Sequence, residues 1–191
     1  YDSTAIEGNT LTLQETAMLL FEHVTPRKSL REINEVTNHK KAFDYLLKEK
    51  EDISKKIILE LHKIVTQETL RNELVSQIGV YRKLQVFIRG TKWLPPKPED
   101  VPQEMQTLLS WYSKNKNSLH PLILTAYFHS AFETIHPFVD GNGRVGRLLM
   151  NFILRKYGYP MINIPNKKKY SYYKALESAQ IKGDLRPLVK F

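Results

Sequence analysis

Residues 136–147 read His-Pro-Phe-Val-Asp-Gly-Asn-Gly-Arg-Val-Gly-Arg. Within this stretch Gly141, Asn142 and Gly143 favour left-handed backbone angles, which turn successive N–H groups towards one point and so suit an anion. Residues 144–157 follow with helical apolar spacing and stop at a glycine. The turn is therefore predicted to open a helix whose N-terminus adds positive potential, and phosphate is the expected ligand.

The other side chains of the stretch also suit phosphate chemistry. Arg144 and Arg147 lie three positions apart, hence on one helix face, where two guanidinium groups can clamp two phosphoryl groups. Asp140 can hold Mg²⁺, His136 is the candidate general base, and Phe138 is predicted to point into the core. Each residue alone has an ordinary structural explanation: His136 could simply end a helix, Asp140 could cap the turn, and the two arginines could lie on a solvated helix face. The combination is far more specific than its parts.

This combination resembles the signature of the Fic family, H-x-F-x-[DE]-G-N-[GK]-R followed by x-x-R, and every defining position is matched. The resemblance implies a nucleotidyltransferase that moves AMP from ATP to a Ser, Thr or Tyr hydroxyl of a protein and releases pyrophosphate. It makes His136 the base that deprotonates the hydroxyl, and it places Mg²⁺ on Asp140 across the α- and β-phosphates. The implied phosphate ligands are Gly141, Asn142, Gly143 and Arg144, with Arg147 at the γ-phosphate.

A second motif lies at the start of the chain. Residues 3–9, Ser-Thr-Ala-Ile-Glu-Gly-Asn, resemble the [ST]-x-x-x-E-[GN] inhibitory motif of Fic proteins that carry their own inhibitor. The resemblance implies a short helix at about residues 2–8 that begins near Ser3 and pairs Glu7 with Arg147. A buried carboxylate–guanidinium pair would occupy the position of the γ-phosphate. In some relatives the same Glu aligns a water that removes AMP from a modified target, and the sequence leaves both roles open.

Two further segments are implied to bind substrates. The adenine is expected near Tyr172 and Tyr173, although Gln180 occupies the position where relatives have an Asn. Neighbouring positions of a helix face different directions, so one of the two tyrosine rings is expected in the core. Residues 80–96 are predicted to form a β-hairpin flap that turns at Gly90-Thr91. The resemblance makes Val86, Phe87 and Ile88 of this flap the groove for the target segment, bound by strand addition. The alternative interpretation is that these three side chains only pack within the hairpin and do not bind the target.

The rest of the sequence predicts an all-α fold, a Fic-like helical bundle with the flap beside the active site. Thr12 with Glu15 and Ser29 with Glu32 form capping boxes, which predict helices at about residues 13–23 and 30–50. Further helix boundaries are predicted from Asp52 and Ser54, Pro102, Pro121 and Gly183. The helix at about residues 30–50 is predicted to face the core with its apolar residues, which include Leu30, Ile33, Val36, Phe43 and Leu47.

The composition predicts one globular domain over residues 1–191, since 41% of the residues are hydrophobic. The chain contains no Cys, which excludes disulfides, thiol nucleophiles and Cys-based zinc sites. No run approaches a membrane span and no signal-like N-terminus is present, so we expect a cytoplasmic protein without a membrane partner. The absence of an initiator Met at Tyr1 indicates a fragment of a longer gene product.

The formal net charge of +9 favours acidic partners. The expected partners are ATP and a protein with an accessible hydroxyl; a homodimer is also possible, and nucleic acid only through a neighbouring domain.

His129 lies seven residues before His136 on the same predicted helix face and is interpreted as a hydrogen-bonded core residue rather than a metal ligand. The alternative function is a non-catalytic basic module that binds nucleotides or nucleic acid. Binding alone has no need of a base beside an acid and an anion turn, which favours the enzyme.

Overall fold

The computed structural model describes residues 1–88 and 91–191, and every regular element in these ranges is helical. The all-α prediction is therefore confirmed. The helices, in chain order, are α1 (Asp2–Ile6), α2 (Leu13–Phe21), α3 (Leu30–Lys48), α4 (Lys55–Thr66), α5 (Val101–Asn115), α6 (Pro121–Ile135), α7 (Asn142–Lys156), α8 (Lys169–Lys182) and α9 (Arg186–Val189), with 3₁₀ turns at Asn72–Gln77 and Asn166–Lys168.

Local hydrogen bonds explain where the long helices begin and end. Both predicted capping boxes are present, so Thr12 opens α2 and Ser29 opens α3 through reciprocal contacts with the glutamate three residues later. The Ser54 hydroxyl accepts the N–H of residue 57 at the start of α4. Proline stands in the first turn of α5 and α6, and Gly183 ends α8 in the left-handed conformation with φ of 65°.

Helices α6 and α7 form the centre of the molecule. They pack against each other through their buried faces; α3 and α4 also pack against α7, and α5 and α8 pack against α6. The core that these helices share consists of fully buried apolar side chains, among them Ile58, Leu61, Met105, Leu124, Phe128, Phe132, Phe138, Leu149 and Ile153. The loop between α6 and α7, which carries the predicted catalytic residues, is thereby fixed between two buried helices.

A second, smaller core holds the short helix α1 in place. Ile6 is 2% exposed and packs with Met150 of α7, Ile164, and Tyr172 and Leu176 of α8. Five residues are too few for a helix to be stable in isolation, so this burial supplies most of what keeps α1 helical. The predicted helix at about residues 2–8 is therefore present, and it ends at residue 6 with Glu7 as its C-cap.

The predicted hairpin flap is not confirmed. Residues 80–88 and 91–96 contain no strand, and the predicted turn at Gly90-Thr91 lies partly outside the described residues. The physical reason is that a side chain takes the backbone acceptors of this segment. The Arg82 guanidinium donates to the carbonyls of Leu84 and Pro96, and the Gln85 amide donates to the carbonyl of Pro95. Because the two prolines also lack N–H donors, no ladder of backbone hydrogen bonds forms here.

Two predicted core positions of α3 are also wrong. Leu30 is 70% exposed and Leu47 is 39% exposed, whereas Val36 is buried. Both lie in the terminal turns of α3. Among the described residues, no helix combines the length and the apolar character that a membrane crossing requires.

Candidate active site

The loop between α6 and α7 is built around one buried aromatic ring. Phe138 is fully buried, as predicted, and stacks on the His62 ring of α4 with centroids 3.8 Å apart. The N–H of Gly79 donates to Nδ1 of His62, so Nε2 carries the proton and donates to the carbonyl of Asp140 at 3.1 Å. Burial lowers the pKa of His62 to about 4, which keeps the ring neutral in this role.

The turn that opens α7 differs in detail from the prediction. Gly141 alone of the three turn residues has a positive φ, of 80°. The side chain of Asn142 braces the loop, because its amide accepts from the N–H of Phe138 at 2.9 Å and donates to the carbonyl of the same residue at 2.8 Å. Gly143 is needed for a close approach, since a Cβ there would collide with Glu7. No side-chain hydrogen bond from the N-cap residue Gly141 closes the start of α7, so the backbone N–H groups of its first turn can donate to a ligand.

His136 caps the C-terminus of α6 in the left-handed conformation, with φ of 50°. Its side chain is 21% exposed, and burial lowers the pKa of the imidazole to about 4, so the ring is neutral at pH 7. The carbonyl of the same residue accepts the Nε–H of Arg82 at 2.8 Å, which fixes the backbone under the ring. A neutral imidazole with one partly exposed edge can receive a proton.

Glu7 contacts Arg147 as predicted. Nη2 of Arg147 donates to Oε1 of Glu7 at 2.7 Å and to the carbonyl of Ser3 at 2.8 Å, and Nε donates to the Ser3 hydroxyl at 2.9 Å. Burial opposes the charge of Arg147, yet the Glu7 carboxylate and the Tyr172 phenol hold the pKa of the guanidinium above its ordinary value. The pair is not fully buried: the Arg147 side chain is 5% exposed and that of Glu7 is 36% exposed.

Asp140 lies at the N-terminal end of α7 among basic groups. Its Oδ1 accepts from the N–H of Gly141 and from Nη2 of Arg144 at 3.1 Å, while its Oδ2 lies 3.4 Å from Nη2 of Arg31. Arg144 is 2% exposed, and its Nε and Nη1 make no hydrogen bond among the described residues, although Nη1 lies 3.9 Å from Oε1 of Glu35. Buried donors without an acceptor are expected where an anionic ligand binds.

These residues fit a magnesium ion that is bound together with a phosphate chain. In the described part of the chain no group of three or more His, Asp or Glu side chains could hold a metal by itself. Mg²⁺ is commonly bound through one or two carboxylates and completes its octahedron with substrate phosphates and water. Asp140, with a side chain 36% exposed, supplies such a carboxylate.

The two tyrosines of α8 have different environments. Tyr172 is 1% exposed, and its hydroxyl lies 2.7 Å from Nε2 of His129, which confirms the interpretation of His129 as a hydrogen-bonded core residue. Tyr173 is 40% exposed, and its hydroxyl donates to the carbonyl of Ile6 at 3.3 Å. The ring expected in the core is therefore Tyr172, and Tyr173 contacts the helix that carries Glu7.

The segment predicted to bind the target is attached to the catalytic loop. Phe87 is 82% exposed, while Val86 and Ile88 are half-buried. Arg82, which is 2% exposed, connects this segment to the loop because its guanidinium contacts the carbonyls of Ile135 and His136 as well as those of its own segment.

Sequence reasoning missed three residues of the site, namely His62, Arg82 and Glu133. Glu133 is buried, with Oε2 3.9 Å from Nδ1 of His136. The sequence did contain a pattern that could have identified Glu133, because residues 129, 133 and 136 have the spacing of one helix face. His62 and Arg82 carried no such local signal, since the catalytic-loop carbonyls that they contact, those of Asp140 and His136, lie 78 and 54 residues away along the chain.

Comparisons with known proteins agree with this geometry. Residues 52–154 match the model of the Fic/DOC family. The chain is 40% identical over 196 residues to protein adenylyltransferase Fic of Drosophila persimilis and 39% identical over 197 residues to that of Nematostella vectensis, in each case over 100% of this chain. It spans only 37% and 44% of the length of these two relatives.

Solved structures show the same similarity. Fic-1 from C. elegans superposes with a TM-score of 0.87 at 35% identity, covering 100% of this chain and 56% of that one. A Fic domain containing signaling protein from Bacteroides thetaiotaomicron superposes with a TM-score of 0.84 at 31% identity, covering 99% of this chain and 73% of that one. Family match, sequence identity and superposition all agree, and the chain belongs to the Fic/DOC family.

Proposed function

We propose that this chain is a protein adenylyltransferase that Glu7 holds in a low-activity state. The observation that carries the proposal is the contact of Glu7 and Ser3 with Arg147, directly over the turn that begins α7 and beside the neutral imidazole of His136. The names of the curated relatives support the same activity. A non-catalytic binding module would have no use for the base.

The residues suit transfer of AMP to a hydroxyl. His136 takes the proton of the target hydroxyl, whose oxygen forms a bond to the α-phosphorus of ATP while the bond to the bridging oxygen breaks and pyrophosphate leaves with the electron pair. The first turn of α7 and the Arg144 guanidinium, whose Nε makes no hydrogen bond among the described residues, hold the phosphate chain. Mg²⁺, held by Asp140, would neutralise charge on the phosphate oxygens. Catalysis then depends on positioning and on charge stabilisation.

The inhibition follows from competition for one guanidinium. Arg147 is the expected partner of the γ-phosphate, and two of its nitrogens are already bonded to Ser3 and Glu7. A carboxylate at this position repels the γ-phosphate and occupies its space. ATP that binds under these conditions has its α-phosphate misdirected.

A second candidate is removal of AMP from a modified protein. The Glu7 side chain is 36% exposed, so one carboxylate can contact Arg147 and solvent together. A water held there could attack the phosphorus of a bound AMP-modified residue, with Glu7 as its orienting group. The same residue would then inhibit one reaction and support the other.

The target protein is proposed to bind along residues 86–88. Phe87 is the side chain of this segment that is most exposed, and Arg82 keeps the segment next to His136. Backbone groups of an irregular segment can still pair with an extended target segment. The expected homodimer remains a prediction.

Transfer can be tested with ATP labelled separately at the α- and γ-phosphate. We expect Glu7→Gly to incorporate the α-label, and not the γ-label, into itself or into a protein of a lysate, whereas the parent chain incorporates little. Adding His136→Ala should abolish incorporation. Equal labelling by the single and double variants would contradict the role of the base. Equal labelling by Glu7→Gly and the parent would contradict the role of the inhibitor.

The reverse reaction needs a second assay. Target labelled by Glu7→Gly is purified and incubated with the parent chain, and release of labelled AMP is measured. If Glu7 orients the water, the parent releases AMP and Glu7→Gly does not. If neither releases it, the second candidate function is wrong.

A further inference from the structure

One face of α6 and the residue that caps its C-terminus carry three side chains whose buried polar atoms the proposed transfer does not fully use. Nδ1 of His129, Oε1 of Glu133 and Nδ1 of His136 are buried and make no hydrogen bond of good geometry among the described residues, although backbone groups of Gly146 and Glu133 lie near the His129 and His136 rings respectively. A buried carboxyl oxygen without a partner costs folding free energy, so packing alone does not explain Glu133. Its position next to the imidazole of the proposed base suggests a role in the reaction.

The surrounding helices enclose this carboxyl group tightly. Oε2 of Glu133 lies 3.9 Å from Nδ1 of His136. Oε1 lies against the backbone of Gly146 in α7, where a Cβ would collide with it and would also come within 3.1 Å of the His129 ring. A residue without a side chain inside a helix is unfavourable in itself, and here it makes the space for the carboxyl.

The position of the proton on the imidazole decides whether His136 can act. A neutral imidazole has one N–H and one acceptor nitrogen. If Nδ1 carries the proton, Nε2 is free to receive the proton of the target hydroxyl. If Nε2 carries it, the ring has no acceptor on that side. The partner of Nδ1 therefore selects between an active and an inactive tautomer.

We propose that Glu133 is a positioning residue that accepts the Nδ1 proton of His136 and so keeps Nε2 free for the target hydroxyl. A small rotation of the carboxyl closes the 3.9 Å separation to a hydrogen bond. During transfer Nε2 gains the proton that the hydroxyl loses, and the carboxylate then faces an imidazolium. This inference rests on the proposed function and deepens it.

The charge of the carboxyl controls which tautomer it favours. Burial raises the pKa of Glu133 to about 8, Glu7 raises it further, and Arg147 opposes both. Below that pH the protonated carboxyl donates to Nδ1 and favours the inactive tautomer; above it the carboxylate accepts from Nδ1. The ionisable and charged groups that face the pair are Glu7, Arg82, His129, Asp140, Arg147, Tyr172 and Tyr173.

The kinetic test uses Glu7→Gly as the reference enzyme. Its kcat should rise with pH, with a midpoint at or below 8 because removal of Glu7 lowers the pKa of Glu133. In Glu7→Gly/Glu133→Gln the amide oxygen accepts from Nδ1 at every pH, so this rise should disappear. In Glu7→Gly/Glu133→Met, which keeps the volume but has no acceptor, kcat should fall by roughly tenfold or more with the KM for ATP changed less than about twofold.

A matched control is Glu7→Gly/Glu104→Gln, which removes a carboxylate from the exposed side of α5. It should retain both the rate and the pH rise. If Glu133→Gln keeps the rise and Glu133→Met keeps kcat, the positioning role is wrong.

A readout without turnover separates this inference from the proposed function. The ¹⁵N shifts of the His136 ring distinguish the two tautomers in the absence of ATP. Glu7→Gly should show the Nδ1–H form increasing with pH, and Glu133→Met should not. If these shifts change as expected while no AMP is transferred, the proposed function fails, and only the control of the His136 tautomer by Glu133 is supported. If the tautomer is independent of Glu133, the positioning role fails whatever the activity.

Discussion

At the scale of single residues, Arg147 is restrained by two neighbouring turns of one short helix. Three of its hydrogen bonds go to Ser3 and Glu7, and one of these is a charge-assisted bond to a carboxylate that is 36% exposed. Solvent weakens the charged contact, so the hydroxyl and carbonyl of Ser3 contribute a substantial share of the restraint. Inhibition should therefore be graded rather than depend on Glu7 alone.

Ser3→Ala tests this directly. The change removes the acceptor of Nε of Arg147 and leaves the Glu7 contact and the Ser3 carbonyl in place. The loss of one such bond, about 1 kcal/mol, should raise transfer of the α-label about fivefold over the parent and clearly less than Glu7→Gly does. The measurement is the initial rate of labelling at saturating ATP. A rate equal to that of the parent would show that the hydroxyl does not contribute to inhibition.

Gly146 and Glu133 give a second prediction at this scale. Because a Cβ at position 146 would collide with Oε1 of Glu133, Gly146→Ala should lower the free energy of unfolding by about 1–3 kcal/mol, although Ala has the higher helix propensity. Glu133→Ala in the same chain should restore most of the loss. Urea unfolding of Gly146→Ala, Glu133→Ala and the double variant measures this coupling, and additive effects would rule out the collision.

At the scale of elements, two features position the catalytic loop: the packing of α6 on α7, and the Arg82 side chain between the loop and residues 84–96. Arg82 contacts the carbonyls of Leu84, Pro96, Ile135 and His136, which joins segments that are far apart along the chain. These carbonyls are buried or part-buried, and each accepts a hydrogen bond from the guanidinium. The same side chain therefore replaces the backbone pairing that a hairpin would have supplied.

Arg82→Met should separate these elements. It removes the donor of four carbonyls, one of them in a buried and three in part-buried hydrogen bonds, so we expect the free energy of unfolding to fall by about 2–4 kcal/mol. In the Glu7→Gly background the transfer rate should also fall, because the backbone of His136 loses its restraint. The neighbouring exposed Lys83→Met is the control and should change stability by less than about 0.5 kcal/mol. Similar unfolding midpoints for both variants would contradict the role of Arg82.

At the scale of the whole molecule, buried histidines couple folding to pH. Burial lowers the pKa of His39 and His129 to about 3 and of His62 and His136 to about 4. Because the unfolded chain titrates these groups near 6.5, it binds more protons than the folded chain below that pH, and stability is lost as the pH falls. Glu133 changes stability in the opposite direction, because its pKa is raised to about 8. Its contribution to the free energy of unfolding is complete below about pH 4.5 and is lost as the pH rises through 8.

The free energy of unfolding should therefore have a maximum near pH 6.5–7. Each fully shifted group changes it by about 1.4 kcal/mol per pH unit, and the four histidines outweigh Glu133. Between pH 6.5 and 5.5 we expect a net loss of about 2–3 kcal/mol, measured by urea unfolding at constant ionic strength. A stability that is constant or increases towards pH 5.5 would show that these imidazoles are not neutral in the folded protein.

The amino-acid sequence by itself determined the helices and the central loop. The capping boxes at Thr12 and Ser29, the proline starts, the Gly183 end and the run from His136 to Arg147 were all readable, because each depends on hydrogen bonds and spacings within a few residues. The pairing of Glu7 with Arg147 was also expected, but through resemblance to a family rather than from local chemistry.

Only the tertiary structure decided the contacts that join distant segments. It stacked His62 on Phe138 and bonded Arg82 to the carbonyl of His136. It also brought the carboxyl of Glu133 close to Nδ1 of His136, and it left residues 80–88 and 91–96 without strands. A buried polar group takes whichever partner the packing of other elements brings within hydrogen-bond distance. That choice depends on residues far along the chain, and local patterns therefore do not contain it.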